Sequence, residues 1–182
     1  MFQALSSKII TGVVTLSMLL LSSYEGNNAK FSSMMASYLG SKIYVNAQLV
    51  DAFENDFEKI FKSGQRIDIF FNISIYNKNE IAHEREFRHA VIFDPIKKYY
   101  NVFLEEQDVQ SVITDYNELL ETISHVEYFY NGEKYEGGHV ILSAYLKKIK
   151  LEHLNKEYDL MMLWKFKKPK MNKLCELSKE EI

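Results

Sequence analysis

The stretch AHEREFRHA, Ala82 to Ala90, gathers His83, Glu84, Arg85, Glu86, Arg88 and His89 within nine residues. Those residue types support two chemistries. A zinc peptidase holds its ion on two histidines four apart on one helix, with a glutamate as general base. Here Phe87 occupies the second of those positions, and His89 lies six residues beyond His83. On a strand that is about 20 Å, and on a helix the two rings diverge, so neither geometry brings both to one ion. Paired carboxylates for sugar hydrolysis are the other option. Glu84 and Glu86 on one strand face stand about 6.6 Å apart, within the range such pairs use. Neighbours on one strand with Arg88 beside them read instead as a solvated ladder of cross-strand ion pairs. The stretch is therefore expected to be the wet side of a strand.

Other chemical signals are few. His125, His139 and His153 are too scattered to be grouped, and Cys175 is the single cysteine, with no base near it in NKLCELS. An intramolecular disulfide is excluded, and the thiol is given no role. The chain holds no glycine-rich phosphate loop, no Gly-x-Ser-x-Gly elbow and no Cys-x-x-Cys pair, and YEGGH lacks the order of a nucleotide fingerprint. No catalytic, cofactor-binding or metal residues are assigned, no cofactor is expected, and the chain is not expected to be an enzyme. One charge cluster stands out. WKFKKPKMNK carries Lys165, Lys167, Lys168, Lys170 and Lys173 with no acid between them. These are candidate contacts to a membrane or other anionic surface, where each lysine contributes about 1 kcal/mol. A solvated edge strand guarded by lysine is the competing and preferred reading.

The elements that position these residues follow from periodicity. In RIDIFFNISIYN, Ile67, Ile69, Phe71, Ile73 and Ile75 alternate with Asp68, Phe70, Asn72, Ser74 and Tyr76, so five apolar residues share one strand face. SKIYVNAQL alternates likewise through Ile43, Val45, Ala47 and Leu49, with Leu39–Ser41 turning it back on Phe31–Tyr38 as a hairpin. Phe53, Phe57, Ile60 and Phe61 fall on one helical stripe, with Asp51 to cap it and Gly64 to stop it. After Ala82–Ala90, Phe87, Val91 and Phe93 should face inward and Glu84, Glu86 and Arg88 outward. YYNVFL is a further strand. Tyr116, Leu119, Leu120 and Ile123 mark a second short helix after Thr114. Val140, Leu142, Ala144 and Leu146 mark another strand, and YDLMMLWKFKK a last one ending at Pro169.

Composition agrees. A chain of 182 residues, 47% hydrophobic and 26% charged, fits one domain, and 12 Phe and 12 Tyr against 7 Gly and 2 Pro favour sheet. A net charge of −3 gives no reason to expect nucleic acid as partner. The fold expected is mostly β (α+β), with antiparallel sheets in a sandwich-like arrangement and two short helices. At the start, Lys8 precedes an uncharged run from Ile9 to Leu21 and then Ser22 and Ser23, the layout of a secretory signal. Thirteen helical residues reach about 20 Å, against a hydrocarbon core of about 30 Å, so cleavage is preferred to a retained anchor, and both to a buried cytosolic helix. The division is residues 1–23 as signal peptide or membrane anchor, 24–30 as a short linker, 31–170 as one antiparallel β-rich domain and 171–182 as a polar C-terminal tail.

The order of IYVNAQLVDAFENDFEKIFKSGQRIDIFFNISIYN, EFRHAVIFDPIKKYYNVF, a short helix, VILSAYLKKIKL and a closing LWKF resembles the bacterial exported family catalogued as domain of unknown function number forty-three ninety. The likeness covers roughly Phe31 to Lys168 and rests on the helix ending in Ser-Gly before an isoleucine-rich strand and on Trp164 and Phe166. It departs at Leu163, where members often carry a serine before the tryptophan. The resemblance implies an export or anchor segment and an envelope location, and lends no catalytic residue. The expected protein is an exported or envelope-anchored, non-catalytic binding module, in the periplasm or on the outer face of the inner membrane. Its partner would be an envelope protein or a lipid surface, met through sheet edges or the aromatic faces of Tyr76, Tyr99 and Tyr128. The alternative is a carrier of lipid or a small apolar ligand, with a hollow lined by Phe53, Phe57 and Phe71.

Overall fold

The structure, a computed structural model, describes residues 26–55, 57–132, 135, 137–151 and 156–177. The expected signal or anchor at residues 1–23 and His153 lie outside them. In chain order the elements are β1 (Lys30–Leu39), β2 (Lys42–Val50), α1 (Phe57–Phe61), β3 (Ile67–Asn77), β4 (Glu80–Asp94), β5 (Tyr99–Leu104) and β6 (Val109–Ile113). Then follow α2 (Tyr116–Ser124), β7 (His125–Asn131), β8 (His139–Leu146), β9 (Lys148–Leu151), β10 (Lys156–Asp159), a 3-10 turn (Leu160–Trp164), β11 (Lys170–Leu174) and β12 (Glu176–Leu177). Among the described residues the protein is mostly β, with antiparallel sheets and two short helices. Among the described residues no helix is long and apolar enough to cross a membrane.

Alternation dictates the layers. A strand with apolar residues at every second position must bury that face, and two such sheets bury theirs against each other. The two large sheets run β12-β1-β2-β7 and β11-β8-β3-β4-β5-β6, and β9 and β10 pair as a separate two-stranded sheet. Ile67, Ile69, Phe71, Ile73 and Ile75 of β3 are all 0% exposed, as are Ile43, Val45 and Ala47 of β2. Both sets belong to one continuous apolar cluster that also takes in Phe57, Ile60, Phe61, Leu119 and Ile123 from the helices. The five β3 side chains alone contribute on the order of 10 kcal/mol of gross burial, comparable with the net stability of a domain. The β1–β2 hairpin turns at Gly40, whose φ of 60° a side chain would disfavour.

Three local expectations are corrected. The first helix spans only Phe57–Phe61, because Asn55 takes a left-handed φ of 59° and breaks the run. Asp51 does not cap it and pairs instead with Lys30 at 2.7 Å, while Phe53 packs from outside the helix on Phe57, with centroids 5.2 Å apart. YDLMMLWKFKK is not one strand. After Asp159 the chain coils into the 3-10 turn, with the Asp159 carboxylate accepting from the Met161 amide at 2.9 Å and Leu160, Met161, Leu163 and Trp164 buried. The segment expected as a polar tail from residue 171 carries strand as far as Leu177: β11 pairs with β8, and β12 runs parallel to β1.

Candidate binding surface

The outward face of the six-stranded sheet carries the charged residues of β4. Glu86 accepts from Lys147 Nζ at 2.8 Å and from the Tyr145 hydroxyl. Glu84 accepts from Ser74 Oγ at 3.3 Å, and Arg88 Nε lies 3.4 Å from Glu105. The outward ladder is thus as read from the sequence. The Lys147 ammonium, then the Tyr145 hydroxyl, hold the Glu86 carboxyl below its ordinary range. Glu86 in turn raises Lys147, while burial, more than Glu86, raises Tyr145. A general acid for glycosidic cleavage needs its proton affinity raised, and Glu86 is shifted the other way. Its surroundings suit electrostatic cross-linking of strands: Lys147 also sits 3.7 Å above the Phe70 ring, itself stacked on Tyr145.

Beside this ladder a groove of about 500 Å³ opens toward β6. Register builds it. Ala90 stands opposite Phe103, and Phe103 opposite Gln110, while Ile92 faces Asn101 and Asn101 faces Val112, so these alternate residues pave one outward strip. Arg66 and Arg88 form its wall, with Arg66 Nε 2.8 Å from Asp68 and Arg88 Nε 4.0 Å from the same carboxylate. Ile92 and Val112 remain 40% and 61% exposed on the strip. β6 is the outermost strand of its sheet, and VQSVI holds neither a charge nor a proline.

The inward face of β4 departs from a simple wet strand. His89 is 0% exposed between Phe87 and Val91. Its Nδ1 lies 2.8 Å from the Ile123 carbonyl oxygen, so Nδ1 carries a proton, and its Nε2 lies 3.0 Å from Glu106 Oε1. Both side chains are fully buried, and Glu106 Oε2 has no partner among the described residues. Strand period alone places His89 beside Phe87 and Val91, but nothing in the sequence links it to Glu106 in the β5–β6 turn. His83, by contrast, sits at the sandwich end against the Tyr128 hydroxyl at 2.7 Å and stacks on Tyr130 at 4.3 Å. The two histidines have different partners, and no metal-binding group of three or more His, Cys, Asp or Glu forms among the described residues.

The remaining candidates divide. Lys165, Lys167, Lys168 and Lys170 are exposed around the turn into β11, whereas Lys173 lies on the opposite face of that strand and pairs with Glu176 at 3.2 Å. Tyr76 stacks on His139 at 4.6 Å, and Tyr99 lies under Lys97. Tyr128 is corrected as a binding face: it is 3% exposed and stacked on Phe87. On the outward side of the smaller sheet, His125, Asn46, Tyr44 and Glu127 form a hydrogen-bonded chain that sequence reading left unassigned. Its members pair across β2 and β7, a register that single-strand patterns do not reveal. No family model, no curated protein and no solved structure matches this chain.

Proposed function

We propose that the protein is a non-catalytic binding module, exported or envelope-anchored, whose partner presents an extended protein segment to the free edge of β6 with a side chain in the adjoining groove. One observation carries this reading: an outermost strand with no charge and no proline, with Val112 61% exposed, borders a mixed polar and apolar strip walled by two arginines. Sheets ordinarily guard such an edge with lysine, proline or a covering element, because its unpaired backbone groups recruit another strand. Strand addition satisfies those groups, and pockets for alternate side chains supply selectivity. Arg66 and Arg88 offer N–H donors at the wall of the groove, with their charge balanced by Asp68 and Glu105.

The carrier reading fares less well on packing. Phe53 packs edge-on or tilted against Phe57, Phe61 and Trp164 at 5.2–6.1 Å and Phe57 against Phe61 at 5.6 Å, and Phe71 stacks on Phe87 at 5.5 Å, so these rings pack on one another where the carrier reading needs a hollow. Export rests on the residue pattern before Tyr24 and on the family resemblance.

In intact cells, a photoreactive residue at Gln110 should crosslink to a discrete protein, and Val112→Lys should remove that product without changing the circular dichroism spectrum. The same probe at Glu121, on the exposed side of α2, should give none. Equal products from both positions, or none from Gln110, would count against the proposal.

A further inference from the structure

The 3-10 turn ends in an unusual way. Lys165 and Phe166 both adopt left-handed backbone, φ 52° and 57°, a region that bulky side chains rarely occupy. Their amides close the turn, Lys165 onto the Met162 carbonyl at 3.1 Å and Phe166 onto that of Met161 at 2.8 Å. The result turns Phe166 away from the core. It is 68% exposed, while Trp164, two residues earlier, is 0% exposed. Around it stand Lys165, Lys167, Lys168 and Lys170, none ion-paired with another described residue. Lys165 Nζ reaches only the Asn28 side-chain oxygen at 3.2 Å, and Lys168 Nζ rests 4.7 Å from the Tyr145 ring centroid. On the neighbouring end of β1, Asp51 is held by Lys30 at 2.7 Å.

The same corner is where the described chain begins. The Asn27 amide donates to the Leu163 carbonyl at 2.7 Å, and Asn27 Nδ2 and Trp164 Nε1 both donate to the Ala52 carbonyl, at 2.9 and 2.8 Å. Gly26 lies so close that an added Cβ would stand 2.7 Å from the Met162 carbonyl oxygen. Residues 26–28 are therefore clamped to the basic turn. From Leu21, the end of the apolar run, to Gly26 is five peptide steps, a reach of at most about 18 Å. A bilayer that holds the run must lie within that distance of Gly26, which is itself packed against the turn that carries Lys165 and Phe166.

We propose that the corner made by residues 26–28 and the Lys165–Lys168 turn, with Lys170 beside it, is the face that docks on an anionic bilayer surface, with Phe166 as its apolar insert. The occupant follows from the chemistry: four ammonium groups with no ion pair among the described residues attract phosphate headgroups, and an aromatic ring framed by lysines suits the boundary between headgroup and acyl chain. Lys173 plays no part. The inference rests on the anchored reading of Ile9–Leu21, and it leaves the β6 edge, at the opposite side of the six-stranded sheet from β11, free for a protein.

The test uses the full chain with Cys175→Ser, reconstituted in vesicles of phosphatidylcholine with or without phosphatidylglycerol. A fluorophore is placed either at Lys167→Cys or at Asn79→Cys, in the β3–β4 turn, which lies about 20 Å or more along β3 from Asn72, the residue level with Lys170. With phosphatidylglycerol present, an aqueous quencher should reach position 167 several-fold less than position 79. Omitting the anionic lipid, or introducing Phe166→Gly, should expose position 167 again. Because Phe166 is largely exposed and glycine suits its backbone, that variant keeps the fold. A chain that stays with the vesicles while position 167 is as wet as 79, or is unmoved by Phe166→Gly, overturns the docking face alone. A chain that leaves the vesicles overturns the anchored reading as well.

Discussion

Between Phe87 and Val91 the inward side of β4 carries an imidazole where a hydrocarbon would fit, and the cost of that choice is met by Glu106. The two side chains are 0% exposed and 3.0 Å apart, and the His89 ring lies 4.6 Å from Phe71. Removing one member of such a pair strands the other in a closed apolar space, which costs about 3–5 kcal/mol, whereas replacing both with hydrocarbon is often neutral. Glu106→Ala is therefore expected to lower the urea-unfolding free energy by about that amount, and His89→Leu with Glu106→Leu to recover most of it. A single variant within about 1 kcal/mol of the parent would show that the pair is not coupled to the fold. His83 makes a separate, pH-dependent contribution. Burial first, and the Arg85 charge second, depress its pKa below the ordinary 6.5. The folded state thus resists a proton that the unfolded chain accepts, so stability is full above about pH 6.5 and falls as pH drops through the depressed value. Glu86, also depressed, acts only below its ordinary 4.5, in a lower window. From about pH 7 to about pH 5 the parent should lose more unfolding free energy than His83→Gln does; equal losses would refute the assignment.

At the scale of elements, what the sequence made legible was whatever a strict period enforces. β2 and β8 bury every second residue, and β3 does so from Ile67 to Ile75, since a one-residue slip would turn each apolar stripe to water. α2 was equally plain, its stripe at Leu119 and Ile123 following Asp115, whose carboxylate caps the Asn117 and Glu118 amides at 2.8 and 2.9 Å. Short apolar runs were not. DLMMLW suits strand or turn by composition, and only the Asp159 cap and the contact of Trp164 with Ala52 decide for the turn. The groove was invisible for a different reason. The alternation that sends Arg88 and Ala90 outward says nothing of which strand lies alongside, and the groove exists because Arg66, before β3, and Val112, on β6, are brought together across four strands. A periodic pattern fixes which face a residue occupies; strand order, which it does not encode, fixes who its neighbours are.

For the whole molecule the decisive segment is one read from its sequence as a tail. KMNKLCEL looks polar because only Met171, Leu174, Cys175 and Leu177 are apolar, yet it closes both sheets. β11 adds to β8 over five residue pairs from Lys170 opposite Ser143 to Leu174 opposite His139. The Cys175 amide then donates to the Gly138 carbonyl at 2.9 Å, and β12 continues onto β1 with Glu176 opposite Ser37. The chain thus passes from the edge of one sheet to the edge of the other, stitching the two layers along a flank that would otherwise show two open edges. Just before it, the buried Pro169 carbonyl accepts from the Ala144 amide at 3.0 Å, starting the ladder. A chain ending at Lys170 should consequently lose far more than a disordered tail would: unpaired backbone along β8 and β1, water against Val140 and Leu142, and several kcal/mol of a net stability that for a domain is only about 5–15 kcal/mol. Its urea transition is expected to broaden or vanish, and its soluble yield to fall through edge-to-edge association. If that shortened chain unfolds cooperatively with the midpoint of the full one, β11 and β12 are ornaments on a sandwich that stands without them.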